Sequence, residues 1–438
     1  MIATLTMLVE VARRWDHVAE RYLLPALDES VDPLFRCGGA VIERAATNPA
    51  LAPILPRLGQ RLNQIIGTGT HLSLAVGATA VQQQLVQHAR NAGDPATLAS
   101  ALNTLAVRLA AVGRRTEALA HAQEAADLCR ELAAGNRDTY LPALAMSVNN
   151  LAIGLAEVGR RGEALAHAQE AVDLRRELVA GNRDAYLPDL AMSVNNLANR
   201  LAEGGRRDEA LAHAQEAADL YGELAAGNRD AYLPDLASSA NNLAIHLAET
   251  GRRAEALAHA QEAVDLYGEL AAGNRDAFLP AFAMSVNNLA VDLAEAGRRG
   301  EALAHAQEAA DLRRELAAGN RDAYLPDLAA SVNNLAIRLA EAGRRGEALA
   351  LAQEAADLYG ELAAGNRDAY LPDLAMSVNN LAIRLAEAGR CGEALAHAQE
   401  AATLYRELAA ESPAAFAEKL ENAEHLPQFL RREQDDGG

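Results

Sequence analysis

Lysine is nearly missing from this chain. Of its 40 lysine and arginine residues only Lys419 is a lysine, so upstream of that position no phosphate-binding loop of the Walker type and no Schiff-base lysine can be built. Aromatic residues make up 4%, which excludes a core of large rings. With 50% of the residues apolar, and alanine and leucine dominant among them, packing has to come from small side chains on closely approaching helices. Cysteine is scarce: Cys37, Cys129 and Cys391 are odd in number and far apart, which fits neither a disulfide framework nor a paired-cysteine metal site and implies a reducing, cytoplasmic setting. A positive balance is lacking as well, the formal net charge being −20. Holding a phosphate backbone needs clustered cations that displace its counterions, so nucleic acid is not expected as a partner. An acidic surface favours solubility and basic partners instead. No stretch approaches the roughly 20 apolar residues that cross a bilayer. The opening segment MIATLTMLVEVARRWDH lacks a basic start and meets charge at Glu10, so neither a signal peptide nor a membrane role is expected.

What the chain has in quantity is repetition. Gly-Arg-Arg begins at Gly113, Gly159, Gly205, Gly251, Gly297 and Gly343, and Gly389-Arg390-Cys391 is a seventh copy, each step being 46 residues. Asn149-Asn150 recurs in register at Asn195, Asn241, Asn287, Asn333 and Asn379, while the first copy reads Asn103-Thr104. Seven units therefore run from about residue 96 to 411. In the unit from Pro188, a proline and Asp189 at one end and a glycine pair at the other predict a helix over Pro188 to Glu203. A second helix is expected from Asp208 to Ala226, with Gly227 as a left-handed C-cap and Asn228-Arg229-Asp230 as a polar loop. At about 100° per residue, Leu190, Ala191, Val194, Leu197, Ala198 and Leu201 form a packing stripe. Met192, Asn195, Asn196, Asn199 and Glu203 share a second, mainly polar face. Repetition turns that face into a ladder.

Leu197-Ala198, Leu201, Gly205, Ala210, Ala214 and Ala217 resemble the tetratricopeptide (TPR) pattern, with smaller residues in its aromatic slots. The unit departs from it in length, about 34 residues being usual, and in having Val194 where the pattern has tryptophan. The longer period, the NNLA signature and the GRxxEAL turn are most similar to the kinesin-light-chain type of repeat. The resemblance implies an all-α, right-handed superhelix: a TPR-like helical-hairpin solenoid whose groove is lined by the first helix of each hairpin. Neighbour-to-neighbour interfaces hold such a solenoid together, and its ends need caps. Residues 1–95 lack the repeat and read as an N-terminal helical cap region, with helices over Ile2 to Leu24, Asp32 to Ala46, Ala50 to Ile66 and Leu72 to Asn91, broken by prolines and by Gly67-Thr68-Gly69. Residues 412–432 read as a capping helix with Ser412 as N-cap and Phe416, Leu420 and Leu426 facing the seventh hairpin, and 433–438 as a disordered acidic tail.

Among candidate site residues, Asn149, Asn195, Asn241, Asn287, Asn333 and Asn379 come first. An amide donates and accepts, so a row of them can clamp the backbone of an extended peptide, or equally bond to neighbouring helices and fix their stacking. Glu203, Glu249, Glu295 and Glu341, with Glu157 and Glu387, end each first helix; they would select a basic ligand or simply pair with arginines at the following turn. Met146, Met192, Met284 and Met376 offer adaptable apolar contacts, interrupted by Ser238 and Ala330. The histidine series at His121, His167, His213, His259, His305 and His397 is read as repeat inheritance, because helices pack 8–10 Å apart while zinc ligands converge at about 2 Å. The series Tyr140, Tyr186, Tyr232, Phe278, Tyr324 and Tyr370 is read as staples of the connector. No nucleophile, base and orienting acid share a non-repeated locus, so no catalytic residue, cofactor or metal is expected. The sequence thus points to a non-enzymatic scaffold for a protein or extended peptide. Its alternatives are the sensor module of a signal-transduction ATPase-type system and a self-assembling structural protein, and the oligomeric state stays open.

Overall fold

The computed structural model describes residues 2–66 and 72–436, so the expected Gly67-Thr68-Gly69 break and the last two residues of the expected tail lie outside the described residues. The described chain is all-α, without a strand among the described residues. It divides into two compact units, residues 1–250 and 251–438, with the division falling between the two helices of repeat 4.

The first unit opens on short helices over a core of larger side chains, among them Leu23, Leu27, Leu34, Ile42, Leu51, Ile54, Leu58 and Leu62. The helix expected from Asp32 to Ala46 is two, Asp32–Phe35 and Gly39–Ala46, separated at Gly38 with φ of 87°. The one expected from Ala50 opens instead as a 3₁₀ turn, Pro49–Ile54, because Pro53 has no N–H for the α ladder. Gly77, on the helix Leu72–Ala92, lies so close to Gly39–Ala46 that an added Cβ would stand 2.5 Å from the Gly39 carbonyl oxygen. Only glycine fits that crossing.

Three complete hairpins follow in this unit. Their first helices are Pro95–Ala111, Arg137–Glu157 and Arg183–Glu203, and their second helices Arg115–Gly135, Arg161–Gly181 and Arg207–Gly227. The first helix of repeat 4, Arg229–Glu249, closes the unit. The second unit starts with the partner helix Arg253–Gly273 and continues through repeats 5 to 7, with first helices Arg275–Glu295, Arg321–Glu341 and Arg367–Glu387 and second helices Arg299–Gly319, Arg345–Gly365 and Cys391–Glu411. Within each unit every repeat helix packs on the helix before it and the helix after it, the arrangement of a solenoid. Arg275–Glu295 is long and apolar enough to cross a membrane, but Leu279, Ala283, Val286, Leu289 and Leu293 are buried against neighbouring repeat helices.

The turns explain the constant period. At Gly205 φ is 75°; the Arg206 N–H donates to the Leu201 carbonyl at 2.9 Å and the Gly205 N–H to that of Ala202 at 2.8 Å. This double closure satisfies the carbonyls a helix end leaves open. Arg206 then reaches forward with two guanidinium bonds to Glu209, at 2.7 and 2.5 Å. The connector between repeats is shorter than the sequence suggests. Asn182 is its single non-helical residue: its N–H ends one helix on the Leu178 carbonyl at 2.9 Å, and its Oδ1 caps the next by accepting from the Ala185 N–H at 3.3 Å. The next helix therefore begins at Arg183, ahead of Pro188, which lies inside it. Gly181 and Gly227 end their helices in ordinary helical conformation, so the left-handed C-cap expected at Gly227 is absent and Asn228 takes its place. At the chain's end Phe416, Leu420 and Ala423 pack on Leu371, Tyr405 and Leu408. The helix Pro413–Asp436 runs on through residues 433–436, where an irregular tail was expected.

Candidate peptide-binding face

Each first helix carries one stripe that its packing does not bury. It follows the spacing i, i+4, i+7, i+11, which keeps side chains on one side of a helix. In repeat 2 the stripe is Met146, Asn150, Ile153 and Glu157; in repeat 3, Met192, Asn196, Asn199 and Glu203; in repeat 4, Ser238, Asn242, Ile245 and Glu249. In the second unit it is Met284, Asn288, Val291 and Glu295, then Ala330, Asn334, Ile337 and Glu341, then Met376, Asn380, Ile383 and Glu387. Met146, Met192, Met284 and Met376 stand 37–40% exposed, and Ile153 and Ile245 are 38% and 40% exposed. Such side chains contribute little to the core they border.

The two asparagines of each pair have different tasks. Within the first unit the second asparagine of one repeat donates its Nδ2 to the Oδ1 of the first asparagine in the repeat before it: Asn150 to Asn103 at 3.5 Å, Asn196 to Asn149 at 3.2 Å and Asn242 to Asn195 at 3.1 Å. In the second unit Asn334 donates to Asn287 at 3.1 Å and Asn380 to Asn333 at 3.0 Å. Asn149, Asn241 and Asn333 are almost wholly buried, whereas their sequence neighbours Asn150, Asn242 and Asn334 are half-buried. Of the six expected clamp residues, Asn149, Asn195, Asn287 and Asn333 thus spend a carbonyl on the next repeat; at Asn149, Asn241 and Asn333 the second member of the pair is the more exposed, whereas at Asn195, Asn287 and Asn379 both members are half-buried. The sequence signal for that second member was the doubling of asparagine itself.

The glutamates at the helix ends are mostly paired. Glu203 meets Arg200 at 3.0 Å, Glu249 meets His246 at 3.5 Å, Glu341 meets Arg338 and Glu387 meets Arg384, both at 2.8 Å. Each partner sits three residues back on the same helix, not in the following turn as expected. Repeat 5 has Asp292 at that place, and Glu295 takes Arg253 of the preceding helix at 3.8 Å. Burial, helped by Glu295, pushes the Asp292 carboxyl up to about 6. Repeat 2 has Gly154 there, and Glu157 has no cation among the described residues.

A cavity of about 300 Å³ lies beside Gly154, between the first helices of repeats 1 and 2 and floored by Ala118 and Ala122 of the second helix of repeat 1. The histidines fall on second helices, where His167, His213 and His259 meet Glu170, Glu216 and Glu262 at 2.9–3.1 Å. No group of three His, Cys, Asp or Glu side chains among the described residues could hold a metal. Two arginines the sequence did not single out are buried under the same helices: Arg175 bonds Asp189 at 2.6 Å and Arg313 bonds Asp327 at 2.9 Å. Desolvation outweighs the aspartate in each case and lowers the guanidinium pKa.

The tetratricopeptide repeat family model matches residues 98–133, 144–182, 190–225, 236–271, 282–317, 328–363 and 374–413. No curated protein matches the sequence. Among solved structures, the apo form of the quorum sensor NprR from B. thuringiensis is similar at 13% identity, over 81% of this chain and 87% of that one, with a TM-score of 0.53. A signal transduction ATPase with numerous domains (STAND) from Pyrococcus horikoshii, described as having a tetratricopeptide repeat sensor, is similar at 14% identity, over 83% of this chain and 49% of that one, with a TM-score of 0.50. Nearly identical TPR-like repeats of a kinesin-light-chain-like protein from Podosopora anserina show 18% identity over 51% of this chain and 98% of that one, with a TM-score of 0.37.

Proposed function

Starting from a chain that belongs to the tetratricopeptide repeat family, we propose that it is a non-enzymatic, cytoplasmic binding module whose first-helix stripes hold an extended peptide or a helix of a partner protein. The observation that carries this reading is the exposed apolar side chains on the first helices: Met146, Ile153, Met192 and Ile245 in the first unit and, taken by itself, Met284 and Met376 in the second. Repeats 2, 3, 5 and 7 keep a methionine exposed at one register and repeats 2 and 4 an isoleucine at another, each beside a half-buried amide and a carboxylate. Packing does not require it; an interface does, and methionine suits a surface that adapts to its ligand. The half-buried amides Asn150, Asn196, Asn242, Asn334 and Asn380 keep their carbonyl ends for a ligand's N–H groups.

The test is partner capture by the full chain beside a variant carrying Met192→Glu, Ile245→Glu and Met284→Glu, exposed positions where helicity and melting temperature should be unchanged. A partner that binds wild type and is lost from the variant supports the face. Equal capture by both sinks it.

A second reading, a sensor that works with a separate ATPase, takes its support from the fold likeness to the STAND protein. It expects a nucleotide hydrolase to co-purify and its turnover to change when this chain is added. A hydrolase whose turnover ignores the chain would rule it out.

A further inference from the structure

Repeat 2 departs from its neighbours at one position. Where repeats 3, 6 and 7 carry Arg200, Arg338 and Arg384, it carries Gly154. Those three arginine side chains are only 20%, 17% and 17% exposed, and each ends on the glutamate three residues on. Deleting such a side chain leaves two things behind, a volume and a charge. Both are present here. A Cβ on Gly154 would touch only Leu119, at 3.7 Å, and the cavity of about 300 Å³ opens there, walled by Ala106, Val107, Ala110 and Ile153 and edged by Asn150 and Glu157. The neighbouring repeat fills neither: Ala111 stands where later repeats have their glutamate, and Arg108 turns away to Asn63.

We propose that this cavity is a binding site for an arginine side chain of the partner, which takes the place that repeats 3, 6 and 7 fill with their own arginine. The site rests on the peptide-binding reading above and gives that face a specificity. A guanidinium has only donors to offer, and the rim supplies acceptors: two oxygens of Glu157 and Oδ1 of Asn150, whose Nδ2 is already spent on Asn103. The methylene stem would lie on the alanine, valine and isoleucine wall, as long cationic side chains do on apolar surface. Lysine brings the charge without the planar fork, and so matches the carboxylate less well. The chain's net charge of −20 draws cations toward the site.

The experiment uses the full chain with ¹³C-labelled Ile, Val and Met methyls, titrated with acetyl-Ala-Ala-Arg-Ala-Ala-amide and with its citrulline and lysine counterparts. Citrulline keeps the shape and loses the charge. The arginine peptide should shift the Ile153 and Val107 methyls, with citrulline about ten-fold weaker and lysine in between. Gly154→Arg, which copies repeats 3, 6 and 7 and should fold as they do, should abolish the shift by filling the cavity from within. Glu157→Gln, an exposed change, should weaken it as citrulline does. Equal binding of arginine and citrulline peptides, or a titration unchanged in Gly154→Arg, overturns the site. If the peptides move the methyls of Met192 or Ile245 but never Ile153, the arginine site is overturned while the peptide-binding reading stands. If no methyl moves, the site is overturned and the wider reading is decided by the partner-capture variants.

Discussion

At the scale of single residues, the structure separates what the helical wheel placed together. Asn333 is buried and accepts from Asn380; Asn334 is half-buried. Asn333→Ala strands the Asn380 amide beside a small void, and should cost about 1–3 kcal/mol; Asn334→Ala should cost clearly less. Chemical denaturation of both variants checks this, and equal losses would remove the distinction between the two amides. Asp292 gives a pH signature. Its folded pKa of about 6 lies above the ordinary 3.8, so the folded chain holds that proton more tightly than the unfolded chain does. The stability this contributes is present in full below about 3.8 and is lost as pH rises through about 6. Asp292→Asn should therefore melt above wild type at pH 8, by up to about 3 kcal/mol in stability, and the gap should close by pH 4. A gap of the same size at both pH values would show that ionisation is not its cause. The sequence made the shared face of Met192, Asn196, Asn199 and Glu203 legible, because that depends on one helix alone. Which half of each amide is used between repeats depends on the stagger of helices 46 residues apart, and no single-helix periodicity contains it.

At the scale of elements, two joints set the repeat: a glycine turn inside each hairpin and one asparagine between hairpins. The glycine turns were legible because Gly-Arg-Arg recurs where a left-handed residue must follow a helix. The asparagine joint was not. The rule that proline opens a helix drew the boundary to Pro188, but the capping group is the Asn182 side chain upstream, and the helix accepts proline in its second turn. Asn320 repeats this joint, accepting from the Ala323 N–H at 3.3 Å, and Asn320→Ala should cost about 1 kcal/mol. Gly343 has φ of 76° with open space around it, so Gly343→Ala meets no clash and should lose about 1–2 kcal/mol from backbone conformation alone. Urea denaturation measures both. A neutral Gly343→Ala would mean that the turn relaxes out of the left-handed region.

At the scale of the molecule, the question is what protects the ends of a stack whose members bury themselves only on neighbours. The sequence leads one to expect caps because a repeat array exposes its outermost faces and residues 1–95 and 412–432 lack the 46-residue pattern; the two flanking segments differ in what they bring. The segment before repeat 1 brings leucines and isoleucines of its own, so it has a core independent of the repeats. The helix Pro413–Asp436 brings only a strip, Phe416, Leu420 and Ala423 on Leu371, Tyr405 and Leu408, with Leu426 against the same repeat. In a nearly one-dimensional array, removing such a strip destabilises the adjacent hairpin first, and the loss fades with each interface crossed. Deleting residues 413–438 should cost about 3–5 kcal/mol locally, as loss of a buried phenylalanine does. Amide exchange should accelerate most in Cys391–Glu411, less in Arg367–Glu387, and not measurably in Arg137–Glu157. The uncovered strip should also make the shortened chain associate as concentration rises, while the full chain does not. Sedimentation over a range of concentrations reads that second effect. Association of the full chain to the same degree would favour self-assembly over partner binding, because the cap would then not be what keeps copies apart.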